Sequence, residues 1–283
     1  MTKRPPALLE RARLAEQRGN REGRDLWDRY AVHRAHVTDA ILALAPASGG
    51  RVCLLGAGNA NDLDLERLAA RWGEVHLVDI DPTALSRAVG RQPAEVRAKL
   101  RLHAPVDLSG LYQQLESRGP KRDLVTTGVA EVLAKLPGDF DLAVSGCVLS
   151  QMSWALQELA DEGELPQAVL EQALLRIHLR TLLGLVRPGQ PTLLVADLVS
   201  SDAYPFDELT PGTDLRALVE HLSEERIAYP VCNLALIKQI LRKDEVLTAE
   251  GEPPQMGQPW LWTGRHDRTY LVYPLVLRRR ARH

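Results

Sequence analysis

Residues 51–65 read RVCLLGAGNANDLDL. Val52-Cys53-Leu54-Leu55 is an apolar, strand-forming run. Gly56-Ala57-Gly58 breaks it, and a helix is expected to restart at Asp62. Such a strand, glycine turn and helix start bring bare backbone N–H groups and the positive end of a helix dipole to one place, which suits a polar or anionic group. The next unit, EVHLVDIDPTAL at residues 74–85, reads as a second buried strand that ends in Asp79. A carboxylate at that position can accept from both hydroxyls of a ribose, so the two units together point to a nucleoside-bearing cofactor. A dinucleotide fits poorly, because the GxGxxG fingerprint needs a third glycine where this chain has Asn61.

Outward from this segment, strands are expected near 51–55, 75–79, 99–103, 141–146 and 191–197, separated by helical stretches. That alternation implies right-handed crossovers and a parallel sheet covered on both faces. Two helices fit between strands 3 and 4, and two more in the stretch 150–187. Residues 211–245 read as a helical insertion, and WLWTGRHDRTYLVYPLVLRR as an antiparallel hairpin turning at GRHDR. Upstream, helical spacing is expected over 5–20 and 24–45, the second carrying Trp27, Tyr30, Val37, Ile41 and Leu44 at intervals of three and four. These helices are expected to form a cap over residues 1–48, leaving 49–283 as the main domain with helical insertions.

The order of motifs resembles the class I S-adenosylmethionine-dependent methyltransferase family over roughly residues 50–280. The features that carry the likeness are the GAGNA loop, the acid Asp79, Asp107 after strand 3, DLAVSGCVLSQM at 141–152, the segment LLGLVRPGQPTLLVADLVSS, and the terminal YLVYPLVLRR. Two positions depart from the family pattern: Leu54 stands where an acid usually precedes the first glycine by two residues, and Ala60 replaces the usual third glycine. The resemblance implies an α/β, doubly wound sheet, mostly parallel with a C-terminal antiparallel hairpin, and S-adenosylmethionine as cofactor. It further implies that Gly56 and Gly58 let the backbone approach the cofactor, that Asp79 binds the ribose, that Ile80 packs on the adenine and that Asp107 accepts from the adenine amino group. Asp107 reads equally as a helix cap. Asn59, Asn61 and Asp62 are candidates for the methionine end of the cofactor, and Ser145 with Gly146 for the close approach of cofactor and substrate.

Methyl transfer is an in-line displacement, so positioning and exclusion of water matter more than heavy acid or metal machinery. Ser150 and Gln151 are candidates to orient an acceptor, although Ser150 also reads as a cap. Asp197, at the end of strand 5, could orient an amine or cap a turn. On the second N-terminal helix, Tyr30 or Arg34 could bind a carboxylate. His33 could take a proton there or simply pack. Trp260, Trp262, Tyr270 and Tyr273 read mostly as core, with a ring available to the acceptor pocket.

Composition sets the remaining bounds. A net charge of −2 over 283 residues gives no electrostatic footprint for nucleic acid, and the C-terminal RRRARH reads as a solvated tail. Cys53, Cys147 and Cys232 are widely separated, and no disulfide framework or metal site is expected. Without a signal-like or membrane-spanning stretch, a cytoplasmic protein with no membrane partner is expected. The expected activity is O- or N-methylation of a small-molecule or peptide-like acceptor. The alternatives are a non-catalytic nucleoside-binding scaffold and a nucleic-acid methyltransferase. The acceptor and the oligomeric state are not legible.

Overall fold

A computed structural model describes residues 7–47, 49–116, 123–160 and 165–281 of the chain. The extreme ends of the sequence, part of the stretch between strands 3 and 4 and part of 150–187 therefore lie outside the described residues, as does the end of the RRRARH tail. Two helices, α1 (Leu8–Gly23) and α2 (Ala31–Ala43), precede the sheet. Five strands then alternate with helices: β1 (Arg51–Leu55), α3 (Leu65–Arg71), β2 (Glu74–Val78), α4 (Pro82–Gly90), α5 (Ala94–Arg97), β3 (Leu100–His103), α6 (Tyr112–Glu116), α7 (Leu124–Leu133), β4 (Leu142–Gly146), α8 (Leu149–Ala160), α9 (Gln167–Leu185) and β5 (Pro191–Ser200). The chain continues through α10 (Leu215–Glu224), α11 (Leu234–Lys243) and α12 (Glu245–Glu250) to β6 (Gln255–Met256), β7 (Trp260–Thr263) and β8 (Thr269–Arg278).

The sheet runs β3-β2-β1-β4-β5-β8-β6, with β7 also paired to β8. β1 to β5 pair in parallel, and β8 lies antiparallel to β5, β6 and β7. The order reverses between β1 and β4, and at such a switch point the strand ends leave a crevice for a ligand. The sheet is therefore the expected doubly wound form with an antiparallel C-terminal part.

Because successive side chains of a strand face opposite ways, the sheet divides its apolar residues between two cores. Cys53 and Leu55 face one with α8, α9, α10 and α11, while Val52 and Leu54 face the other with α2, α3 and Trp72. Leu54 thus sits fully inside a core, where an acid would be unsolvated and costly. α2 belongs to that second core: Val37 and Ile41 have no exposed surface, and each such burial contributes about 1.5–3 kcal/mol. Deleting α2 would uncover part of this face, leaving α3, α4 and α5 on the rest of it.

Two sequence-based boundaries move. The helix expected from Asp62 begins at Leu65, because Asp64 is the residue whose side chain caps it, accepting from Arg67 N. Residues 57–63 instead form successive tight turns, with Ala60 held at φ +54°. The helix expected over 24–45 begins at Ala31, so Trp27 precedes it and Tyr30 is its N-cap residue.

Candidate active site

The carboxyl ends of β1, β2, β4 and β5 open onto a single cavity of about 490 Å³. Its floor at one end is the glycine turn. Gly56 sits at φ +76° and Gly58 at φ +46°, and a side chain on Gly56 would lie 2.7 Å from Val148 Cβ. The turn is fixed to β2: Gly56 N and Ala57 N both donate to Val78 O. Gly58 N donates to Asp79 Oδ2 at 2.7 Å, while Asp79 Oδ1 accepts from Asp81 N at 2.8 Å.

The roof at this end is α1. Asn59 Nδ2 donates to Asn20 O at 2.6 Å and Asn61 Nδ2 to Gly23 O at 2.7 Å. Asn20 Nδ2 in turn donates to Asp81 Oδ2. The two asparagines of GAGNAN therefore tie the first helix onto the glycine turn. Asn61 is buried, and its Oδ1 has no hydrogen-bond partner in the structure. A buried acceptor left without a partner costs free energy.

At the other end, β4 and β5 contribute Gly146, Cys147 and Asp197, and α8 contributes Ser150, Gln151, Met152 and Trp154. Ser150 Oγ donates to Asp197 Oδ2 at 2.7 Å, and the Cys232 thiol lies 3.9 Å from Oδ1. Burial pushes the Asp197 carboxyl up to about 7 despite that hydrogen bond. Asp62 Oδ2 lies beside Gly146, 3.3 Å from where a side chain would begin. Its pKa rises to about 7 through burial, with the neighbouring charge of Asp79 adding to the rise, and burial raises Asp79 to about 6. These three acids bind protons more tightly folded than unfolded. They stabilise the fold fully below the ordinary carboxylate range and lose that contribution as pH rises through 6 to 7. The ligand-free protein should therefore lose Tm from these groups between about pH 4 and about pH 7, and Asp62→Asn should flatten part of the fall. A Tm that rises steadily across that window contradicts the assignment.

An aromatic wall closes the acceptor side. Trp262 is sandwiched between His33, at 4.1 Å and 18°, and Tyr270, at 5.3 Å and 27°, with Tyr30 edge-on at 4.8 Å. His33 is buried, and its Nδ1 accepts from Trp260 Nε1 at 3.0 Å. The neutral ring then carries its proton on Nε2 and has no lone pair to spare. Burial lowers its pKa to about 3. This geometry gives His33 the part of a packed, hydrogen-bonded wall residue.

The cavity brings together Tyr30, His33, Gly56, Gly58, Asn59, Asp62, Asp79, Ile80, Asp107, Ser150 and Gln151. Asp107 caps the following turn: Oδ1 accepts from Ser109 N and Oγ, and Oδ2 accepts from Tyr112 N. Two candidates lie elsewhere. Arg34 stacks 3.5 Å above the Trp27 ring and donates to Trp27 O and Asn61 O, bracing the turn from outside. Ser145 is fully buried beneath the strand, where its Oγ meets His178 Nε2 at 2.7 Å. The coupling of Ser150 to Asp197 and the roof formed by Asn20 were not read from the sequence. Only the placement of Ser150 just after β4 and of Asp197 in the neighbouring β5 hinted at the first.

No protein-family model and no curated protein matches the sequence. Similar solved structures include an S-adenosylmethionine-dependent methyltransferase from Methanosarcina mazei, at 13% identity over 86% of this chain and 98% of that one, with TM-score 0.46. An O-methyltransferase family protein from Burkholderia thailandensis is 14% identical over 95% of this chain and 60% of that one, with TM-score 0.45. An rRNA methylase from Streptococcus thermophilus is 12% identical over 88% and 96%, with TM-score 0.40. By its own strand order, five parallel strands with the switch between β1 and β4 and an antiparallel C-terminal part, the chain has a class I methyltransferase-like fold.

Proposed function

We propose that the protein is an S-adenosylmethionine-dependent methyltransferase acting on an oxygen or nitrogen of a small-molecule or peptide-like acceptor. The observation that carries this reading is that one cavity holds the Gly58–Asp79 turn under α1 at one end and the Asp197–Ser150 pair at the other. The residues present suit this cofactor. Asp79, whose two carboxylate oxygens each accept one backbone N–H, retains lone pairs for ribose hydroxyls. Asp62 complements a positively charged ligand.

When bound, S-adenosylmethionine supplies a methyl group on a cationic sulfur. The protein supplies the rest. The glycine turn and α1 hold one reactant, while Gly146, which has no side chain, leaves the line of approach open. Tyr30, Trp262 and Tyr270 exclude water. Asp197, oriented by the Ser150 hydroxyl, accepts the acceptor's proton at Oδ1 or Oδ2 once it is ionised.

Calorimetry tests the cofactor directly. S-adenosylhomocysteine should bind and NAD should not, and Asp79→Ala should weaken binding by about 1.5–3 kcal/mol. Binding of NAD without response to either adenosyl ligand overturns the reading. Donor binding with no methylated product from labelled donor in a broad extract favours the scaffold alternative.

A further inference from the structure

A second cavity, of about 390 Å³, lies between α1 and α8. Its apolar lining is Ala12, Leu14, Ala15 and Ala155, and its polar lining is Arg11, Arg18 and Arg21. Ala12, Ala15 and Ala155 line the first cavity as well, so the two spaces adjoin across a seam of small side chains. Positions 11, 18 and 21 fall on one stripe of a helix, spread over about 15 Å of its axis. Other arginines of this segment have acids beside them: Arg13 pairs with Glu10, and Arg24 with Asp25. Arg18 and Arg21 are exposed and pair with no acid among the described residues. No described residue lining the groove is acidic. Glu16 of the same helix lines the other cavity instead.

We infer that this groove holds the anionic tail of the methyl acceptor, a phosphate-bearing or carboxylate-bearing group joined by a short apolar stem to the atom that is methylated. The substrate class rests on the methyl-transfer reading, whereas the anion site itself does not. The arginine forks match oxyanions, and the alanine and leucine floor matches the stem. Asp197 beside Ser150 and Asp62 beside Gly146, when ionised, repel such a group and leave the reacting end of the acceptor there.

The test uses the intact protein with inorganic pyrophosphate and, separately, citrate as probes, in calorimetry at low salt. Pyrophosphate should bind, and Arg18→Gln combined with Arg21→Gln should weaken it about tenfold or more. Arg97→Gln, which removes an exposed charge far from the groove, should leave it unchanged. Tighter binding of citrate than of pyrophosphate assigns the tail as a carboxylate. Equal weakening by all three substitutions, unaltered binding in the double variant, or no binding of either anion overturns the site. A short single-stranded RNA that binds far more tightly than pyrophosphate, through the same arginines, replaces the small-acceptor reading with a nucleic-acid one. Titration with S-adenosylhomocysteine on the same samples separates the two claims. Anion binding without it leaves the groove standing and removes the methyl-transfer reading.

Discussion

Asp197→Asn should lower kcat roughly a hundred- to ten-thousandfold, the loss typical of a removed general base, while S-adenosylhomocysteine affinity changes little. Asparagine keeps the shape of the side chain and can still bond to Ser150, so a folding defect is not expected. The pH profile sharpens the result. The base acts only when ionised, so wild-type kcat should fall as pH drops through about 7, and that limb should vanish in the variant. Ser150→Ala removes a single hydrogen bond and should cost much less, about tenfold. Labelled donor and an extract that contains the acceptor suffice for the measurement. An Asp197→Asn enzyme that keeps most of its rate and its pH limb removes Asp197 from the chemistry and leaves positioning alone to explain turnover.

Gly56→Ala is the second large effect. The new methyl meets two difficulties at once, a backbone at φ +76° and the Val148 side chain 2.7 Å away. The first costs about 1–2 kcal/mol and the second about 1–3 kcal/mol. Val148 immediately precedes α8, so its displacement carries to Ser150 and Gln151, and donor binding should fall together with stability. Denaturant unfolding separates the parts. Gly56→Ala with Val148→Ala removes the Cγ2 contact at 2.8 Å but keeps Cβ at 2.7 Å, so it should recover only part of the steric penalty and none of the backbone penalty, a non-additivity readable from the double-mutant cycle. A single variant that loses less than about 1 kcal/mol would mean that the turn relaxes freely.

The strands of this fold were legible because buried parallel strands are continuous apolar runs, and VCLL, VHLV and LAVSG sit within a residue or so of their expected places. The glycine turn was legible for the same reason, as an abrupt end to such a run. What the sequence hid was contact over distance. Ser150 and Asp197 are separated by 47 positions, and Ser145 and His178 by 33. No local pattern reveals that one serine turns toward the cavity while the other turns toward α9. Arg34 looked like a ligand-binding group because its carbonyl partners, on Trp27 and Asn61, are invisible in a string of side-chain letters. The delayed start of α3 had a signal that was available, since Asp64 is as good a cap as Asp62. The early start assigned to α2 had none, because Trp27 and Tyr30 keep helical spacing without being helical.

The asparagine ties on α1 bear on how long a bound molecule stays. The helix buries only Ala12 and Gly23 completely, and its grip on the glycine turn is polar, made chiefly by Asn59, Asn61 and Asn20. Net hydrogen-bond contributions of about 0.5–1.5 kcal/mol each make such a hold easy to undo compared with an apolar one of similar extent. Lifting the roof gives up only Ala12, with Leu8 and Leu9 against it, from the first core and leaves the second core packed. Residence time in the cavity then becomes a property of three amide side chains, adjustable by single substitutions that never touch the strands beneath.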